Sequence, residues 1–275
     1  MDALQLISEG KLAAALSALQ DAVRKDASNP KHRIFLFQLL SVLGQWNRAL
    51  TQLNVAAELD AACLPMAQTY REAIQCEALR AEIFSGKRAP LIFGQPEPWM
   101  VHLLEALKRD AEGDAAGAAS ARAAAFEDAP ASPGSVNGEA FEWMADADQR
   151  LGPVIEAIIN GRYFWVPMIR ISRIVFDPPV DLRDAVWTAV TFTWTNGAST
   201  VGLIPTRYDG TLGGGDEALL MSRRTEWVEE GRQAGHGLGQ RMLITDTAEY
   251  ALMDLRSIEF DNPLQAGDED GQADG

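Results

Sequence analysis

The sequence predicts an α+β protein, with stacked helical hairpins over residues 1–130 and a C-terminal α+β domain over 139–262 built on a small, mainly antiparallel sheet. Three observations predict it. A helical pattern near the N-terminus recurs at a fixed offset. The loop "DAPASPGSVNG" (Asp128–Gly138) then breaks the chain with two prolines and two glycines. Beyond it come β-branched and aromatic runs parted by turn dipeptides.

The repeat aligns "SEGKLAAALSALQDAVRKD" (Ser8–Asp26) with "VLGQWNRALTQLNVAAELD" (Val42–Asp60), so that Gly10/Gly44, Ala15/Ala49, Leu16/Leu50, Leu19/Leu53, Ala22/Ala56 and Asp26/Asp60 coincide 34 residues apart. That is the tetratricopeptide period, the spacing of a helix–turn–helix unit. Gly10 and Gly44 fall in the turns, and Ala15 and Ala49 are the small residues where paired helices come closest. Leu16, Leu19 and Ala22 follow at helical spacing as the buried stripe. A third copy, "AEGDAAGAASARAAAFEDAP", carries Gly113, Ala118, Ala125 and a closing Pro130. The intervening "PMAQTYREAIQCEALRAEIF" is helical but matches the repeat poorly.

After the loop, "GEAFEWMADADQRLGPVIEAIIN" reads as a helix to Arg150, broken at Gly152-Pro153 and resumed through Ile159. From Arg162 the texture is that of strands: "YFWVPMIRISRIVF", "DAVWTAVTFTWT" and "STVGLIPTRY", separated by "DPPVDL", "NGA" and "DGTLGGGDE". In the first of these neither alternating face is polar, which predicts a strand covered on both sides. Pro167 lacks an amide hydrogen and places it at an edge or a bulge, where a peptide can dock. "TEWVEEGRQ" and "LITDTAEYALMDLRSIEF" mix helix and strand. Residues 263–275 are polar and acidic, and are expected to be a disordered tail.

Charge excludes whole classes of partner. The formal net charge is −15; residues 1–138 hold 13 basic and 16 acidic side chains, residues 139–275 hold 11 and 23, and no lysine follows Lys108. Such a surface repels phosphate, so neither nucleic acid nor an anionic membrane is an expected partner. No apolar run is long enough for a bilayer, and the start has no leader pattern, so the expected location is cytoplasmic. Cys63 and Cys76 fit buried small hydrophobes in a reducing compartment. No phosphate loop, dinucleotide fingerprint, nucleophile elbow or HExxH is present, so no catalytic residue, cofactor or metal is expected. His32 and His102 sit in helices with a structural role as the expectation; His236, between glycines, is the one placed where a site would want it. Glu142 and Asp146, four apart with Asp148 nearby, would share a helix face, where a solvated or salt-bridging role is preferred over acid–base work.

The segments "EWMADADQRLGPVIEAIINGRYFWVPMIRI", "DLRDAVWTAV", "GLIPTRYDGT", "RRTEW" and "GLGQRMLITD" together resemble, in order, the ImpE family, also called TagJ. Its members are accessory proteins of the bacterial type VI secretion system. The resemblance runs over nearly the whole chain and implies a non-enzymatic adaptor. Members bind the N-terminal helix of the small sheath subunit (TssB, or VipA) and are linked with the ClpV unfoldase that recycles contracted sheath. The side chains expected to meet such a partner are Arg162, Trp165, Arg170, Arg207 and Tyr208. Two competing readings are a general repeat scaffold and a ligand-binding or hydrolytic site around Glu142, Asp146, Arg207, Tyr208 and His236.

Overall fold

The computed structural model describes residues 2–228 and 235–262. The acidic stretch 263–275 lies outside them.

Helices α1 (Ala3–Ser8), α2 (Leu12–Lys25), α3 (Pro30–Val42) and α4 (Trp46–Leu59) form two hairpins. The turns fall at Gly10 and Gly44, with φ of 76° and 65°, the left-handed region in which a Cβ is strained. Gly44 is doubly constrained, because a Cβ there would lie 2.6 Å from the Leu212 side chain. Ala15, Ala49 and Leu53 are fully buried and Leu19 nearly so, while Leu16, Leu50 and Ala22 are half-buried. Asn29 starts α3 by accepting from the Lys31 amide, with Pro30 at the first helical position.

The poorly matching stretch is one long helix, α5 (Leu64–Phe84), of 21 residues. After β1 (Leu91–Ile92), helices α6 (Pro98–Glu112) and α7 (Ala115–Asp128) form the third hairpin around Gly113. Asp114 caps α7 by accepting from the Gly117 amide.

Strands begin inside the expected loop, at β2 (Gly134–Val136), and continue as β3 (Glu139–Phe141), β4 (Met144–Asp146), β5 (Val154–Ile159), β6 (Arg162–Pro167), β7 (Ile171–Phe176), β8 (Trp187–Trp194) and β9 (Ser199–Pro205). A short helix α8 (Glu217–Leu220) precedes β10 (Thr225–Val228), β11 (His236–Gly239), β12 (Met242–Thr245), β13 (Glu249–Ala251) and β14 (Ser257–Phe260). Nine of these form one sheet in the order β1-β6-β5-β9-β8-β7-β14-β2-β3, larger than expected and antiparallel except for β1 against β6. The pair β10-β11 and the three strands β13-β12-β4 are separate small sheets.

The helices expected before and after Gly152-Pro153 are not formed. Residues 154–159 are a strand buried on both faces, "VIEAII", hairpinned to β6 through Asn160-Gly161 with φ of 48° and 71°. Positive φ at both turn residues is the tight hairpin geometry that Asn-Gly favours. Asn137-Gly138 repeats it between β2 and β3. The long strand read over 163–176 is two strands, parted by a single 3-10 turn at Met168–Arg170. β6 is next to the sheet edge, since β1 reaches only Phe164 and Trp165; Pro167 lies past that pairing.

The helices cover one face of the large sheet. Phe37, Leu53, Ile83 and Phe84 share an apolar core with Val154, Ile158, Trp165 and Trp187. Ile155, Val166, Phe192 and Ile258 face the other way, in a core with Leu243 of the three-stranded sheet. The helical and strand segments differ in texture as expected, but they pack as one body around this common core.

Candidate functional site

Alternation along β5 puts Val154, Glu156 and Ile158 on the helix-facing side of the sheet. Glu156 is therefore carried, fully buried, into an apolar interface. It is not alone there. In α5 the buried stripe Ala73, Cys76, Arg80, Ile83 and Phe84 faces the sheet, and Arg80 sits in the middle of it. Arg80 grips Glu156 with two bonds, Nε to Oε1 at 2.5 Å and Nη2 to Oε2 at 2.9 Å. Tyr163 of β6 donates its hydroxyl to Glu156 Oε1 at 2.5 Å and accepts from Trp165 Nε1 at 2.9 Å.

A second guanidinium closes the cluster. Arg241, just before β12, bridges Glu156 to Asp146 of β4 and donates its Nε to the Pro205 carbonyl at 3.0 Å. Asp146 Oδ1 accepts from the Tyr208 hydroxyl at 3.0 Å and from the Asp148 amide at 2.9 Å. Asp148 is held by Arg150 Nη2 at 2.6 Å, and the Arg150 guanidinium lies 4.7 Å from the centre of the Phe84 ring. Glu77, one turn before Arg80, accepts from Trp187 Nε1 at 2.9 Å. These residues join α5, the large sheet and the three-stranded sheet in one buried ionic joint.

The same strategy fastens the repeat hairpins at their turns. Arg207 donates to the carbonyls of Val42 at 2.7 Å, Ser41 at 3.1 Å and Leu220 at 2.9 Å. It thereby satisfies the open C-terminal end of α3, where the helix dipole favours a cation. Arg223 does likewise for α1, donating to Ile7 at 2.9 Å and Ser8 at 3.2 Å. Glu217 Oε1 accepts from the Leu12 amide at 3.0 Å, at the start of α2.

Burial sets the titration of these groups. Burial alone would raise Glu156, but Arg80 and Arg241 hold it down to about 2. Asp146 goes the other way: burial lifts it to about 6, with Arg241 opposing and Asp148 assisting. Burial draws Arg207 down to about 10 although Glu77 opposes it. Burial likewise pushes the Tyr208 hydroxyl far above its ordinary range and the Cys76 thiol up to about 12. Desolvation of such ions about cancels their attraction, so the joint adds little net stability over an apolar one. Removing a single member, by contrast, leaves an uncompensated charge.

Three of the five side chains expected to meet a partner are thus interior. Trp165 is 0%, Arg207 3% and Tyr208 1% exposed, and each is bonded within the joint or to a helix end, so a partner on the surface does not touch them. Arg162 is exposed and lies 5.3 Å from the centre of the Phe164 ring. Arg170 is half-buried, paired with Glu97 at 2.5 Å. Asp146 and Tyr208 do come together, as the ligand-site reading wanted, but Glu142 is exposed outside β4 and shares no helix face with Asp146. His236 is half-buried in β11, His32 half-buried and His102 exposed. Sequence reasoning missed Arg80, Glu156, Tyr163 and Arg241. The available signals were an acid inside "VIEAII" and an arginine inside a buried helical stripe.

The segments "DADQRLGP", "RYFWVP", "PTRYDG" and "GLGQR" supply much of the joint, namely Asp146, Asp148, Tyr163, Trp165, Tyr208 and Arg241, together with Arg207 at the end of α3. Fold and joint define a class: a tetratricopeptide-like helical segment riveted to a strand-rich domain by internal ion pairs. Comparison with known proteins gives the family. The model of the family described as ImpE protein matches residues 138–259, and a tetratricopeptide-repeat model matches residues 6–74. The chain is 50% identical over 261 residues to the type VI secretion system accessory component TagJ of Pseudomonas aeruginosa, covering 95% of this chain and 92% of that protein. The crystal structure of protein VPA1032 from Vibrio parahaemolyticus shares the fold, with a TM-score of 0.82 at 23% identity over 94% of this chain and 97% of that one. The chain belongs to the ImpE/TagJ family.

Proposed function

We propose that the protein is a non-enzymatic cytoplasmic adaptor of a type VI secretion system. In this reading it binds the N-terminal helix of the small sheath subunit TssB (VipA) and so assists ClpV-linked recycling of contracted sheath. The observation that carries the reading is the 50% identity to TagJ across 95% of the chain. Helical repeats supply the kind of surface on which peptide helices are held. Among the described residues no helix is long and apolar enough to cross a membrane.

The ligand-site alternative centred on Asp146 has less support. Its carboxylate already accepts from Arg241, Tyr208 and the Asp148 amide, which leaves little capacity for a substrate. Arg162 and Arg170 are the expected contact residues that retain access to solvent. Calorimetric titration of a synthetic sheath-subunit N-terminal peptide into the intact protein tests the proposal. Saturable binding on the order of tens of micromolar or tighter is expected. No binding, together with stabilisation by a small molecule, would favour the alternative.

A further inference from the structure

A groove of about 880 Å³ lies between α7 and the three-stranded sheet. One wall is the outer face of α7, Ala119, Ala123 and Phe126; the other is Trp143, Met144 and Ile244. Phe126 and Trp143 are 39% and 40% exposed, large aromatic surface at both sides of one groove. The groove is built rather than incidental. Gly152 has φ of 54°, and a Cβ there would come 2.3 Å from the Phe126 ring, so the ring lies directly on backbone at the groove's end. Ser132 lines the groove, is 2% exposed, and its hydroxyl has no hydrogen-bond partner among the described residues.

Charge at the rim selects the occupant. Glu127, Asp128 and Glu142 flank the lining residues and are exposed. Among the described residues the one basic lining residue, Arg122, is buried and paired with Asp110 at 2.8 Å. An apolar trough with an acidic rim is complementary to a segment whose apolar side chains are bordered by lysine or arginine. Geometry also selects its conformation. β4 is an edge strand, but the Asp146 amide already donates to the Gly152 carbonyl at 2.7 Å, so an added strand finds a truncated edge. The opposite wall is a helix with small residues four apart at Ala119 and Ala123, which lets another helix approach closely.

We infer that the groove between α7 and β4 is the docking surface for a basic amphipathic helix of a protein partner, with Phe126 and Trp143 as its aromatic walls. The inference deepens the adaptor reading and rests on it, and its binding probe is a designed peptide rather than the sheath subunit. The probe is a designed helical peptide with leucines at i, i+3, i+4 and i+7 and lysines elsewhere, read by fluorescence anisotropy; a twin replaces every lysine by glutamate. The full chain should bind the lysine peptide on the order of tens of micromolar and the glutamate twin at least about tenfold more weakly. Ala123→Arg, which blocks the trough, and Trp143→Ala, which removes one wall without changing charge, should each weaken binding about tenfold, the scale of a lost anchor. Val201→Lys, on an exposed position away from the groove lining, should leave it unchanged. Circular dichroism confirms that the variants fold. The inference is overturned if the lysine peptide does not bind, if its twin binds equally, or if Ala123→Arg and Trp143→Ala bind as tightly as the parent. Lysine-peptide binding lost in both groove variants, with no binding of the sheath peptide, would keep the groove and remove the sheath subunit as its occupant.

Discussion

Inside the α1–α4 stack, neighbouring helices meet through Ala15, Ala49, Leu19 and Leu53, and no buried ion takes part in that packing. Between α5 and the sheets an apolar core is interrupted by Arg80, Glu156, Arg241 and Asp146, ions all nearly excluded from water. Apolar packing is forgiving about direction, and one leucine can serve for another if volume is kept. A guanidinium forked onto a carboxylate fixes distance and angle together. The stack therefore uses materials that stabilise, and the joint uses materials that align.

The sharpest way to break that contrast is Glu156→Ala. It leaves Arg80 and Arg241 buried without their shared carboxylate, and should cost about 3–5 kcal/mol in urea unfolding. Replacing Arg80, Glu156 and Arg241 together by methionine, with Asp146→Asn so that no partner of Arg241 is left charged, should cost far less than Glu156→Ala alone. If the combined variant is the worse of the two, the joint is a source of stability rather than of alignment. In the stack, Ala49→Leu forces a larger side chain into a fully buried helix contact, and a loss of about 1–3 kcal/mol is expected.

Acid titration separates the two carboxylates of the joint. Glu156, held at about 2 against an ordinary 4.5, contributes stability that is complete above pH 4.5 and is lost as the pH falls through 2. Asp146, raised from 3.8 to about 6, works in the opposite sense: its contribution is complete below pH 3.8 and is lost as the pH rises through 6. On lowering the pH from 7 to 4, the parent should therefore gain stability relative to Asp146→Asn. Parallel urea midpoints across that window would show that Asp146 titrates normally. The smallest effect belongs to Glu217→Ala, which removes one acceptor from the start of α2 and should cost about 0.5–1 kcal/mol.

The same contrast explains what could be read in the sequence. The stack was legible because its rules repeat: Gly10 and Gly44, Ala15 and Ala49, Leu19 and Leu53 each state one requirement twice. The strands of the C-terminal part were legible from β8 and β9, where alternation is strong. They were not legible over 139–159, where alanine, glutamate and methionine imitate a helix and only Asn137-Gly138 and Asn160-Gly161 signalled hairpins. Tertiary burial overrode local propensity there. The joint has no repeat to reveal it. Arg80 and Arg241 lie 76 and 85 residues from Glu156, and each occurs once. Trp165, Arg207 and Tyr208 stood out as candidate contact residues for their chemistry, but pairing turned that chemistry inward.

Arg207 reaches back 165 and 166 residues to close the end of α3 on Val42 and Ser41. A ribosome makes the N-terminal hairpins first, yet the carbonyls that end α3 obtain their donor only when the chain past β9 has emerged. At synthesis rates of roughly 5–20 residues per second, that interval is on the order of ten to thirty seconds. During it the first two hairpins exist with a helix end still served by water and with their sheet-facing apolar side uncovered, a surface that the finished protein no longer presents.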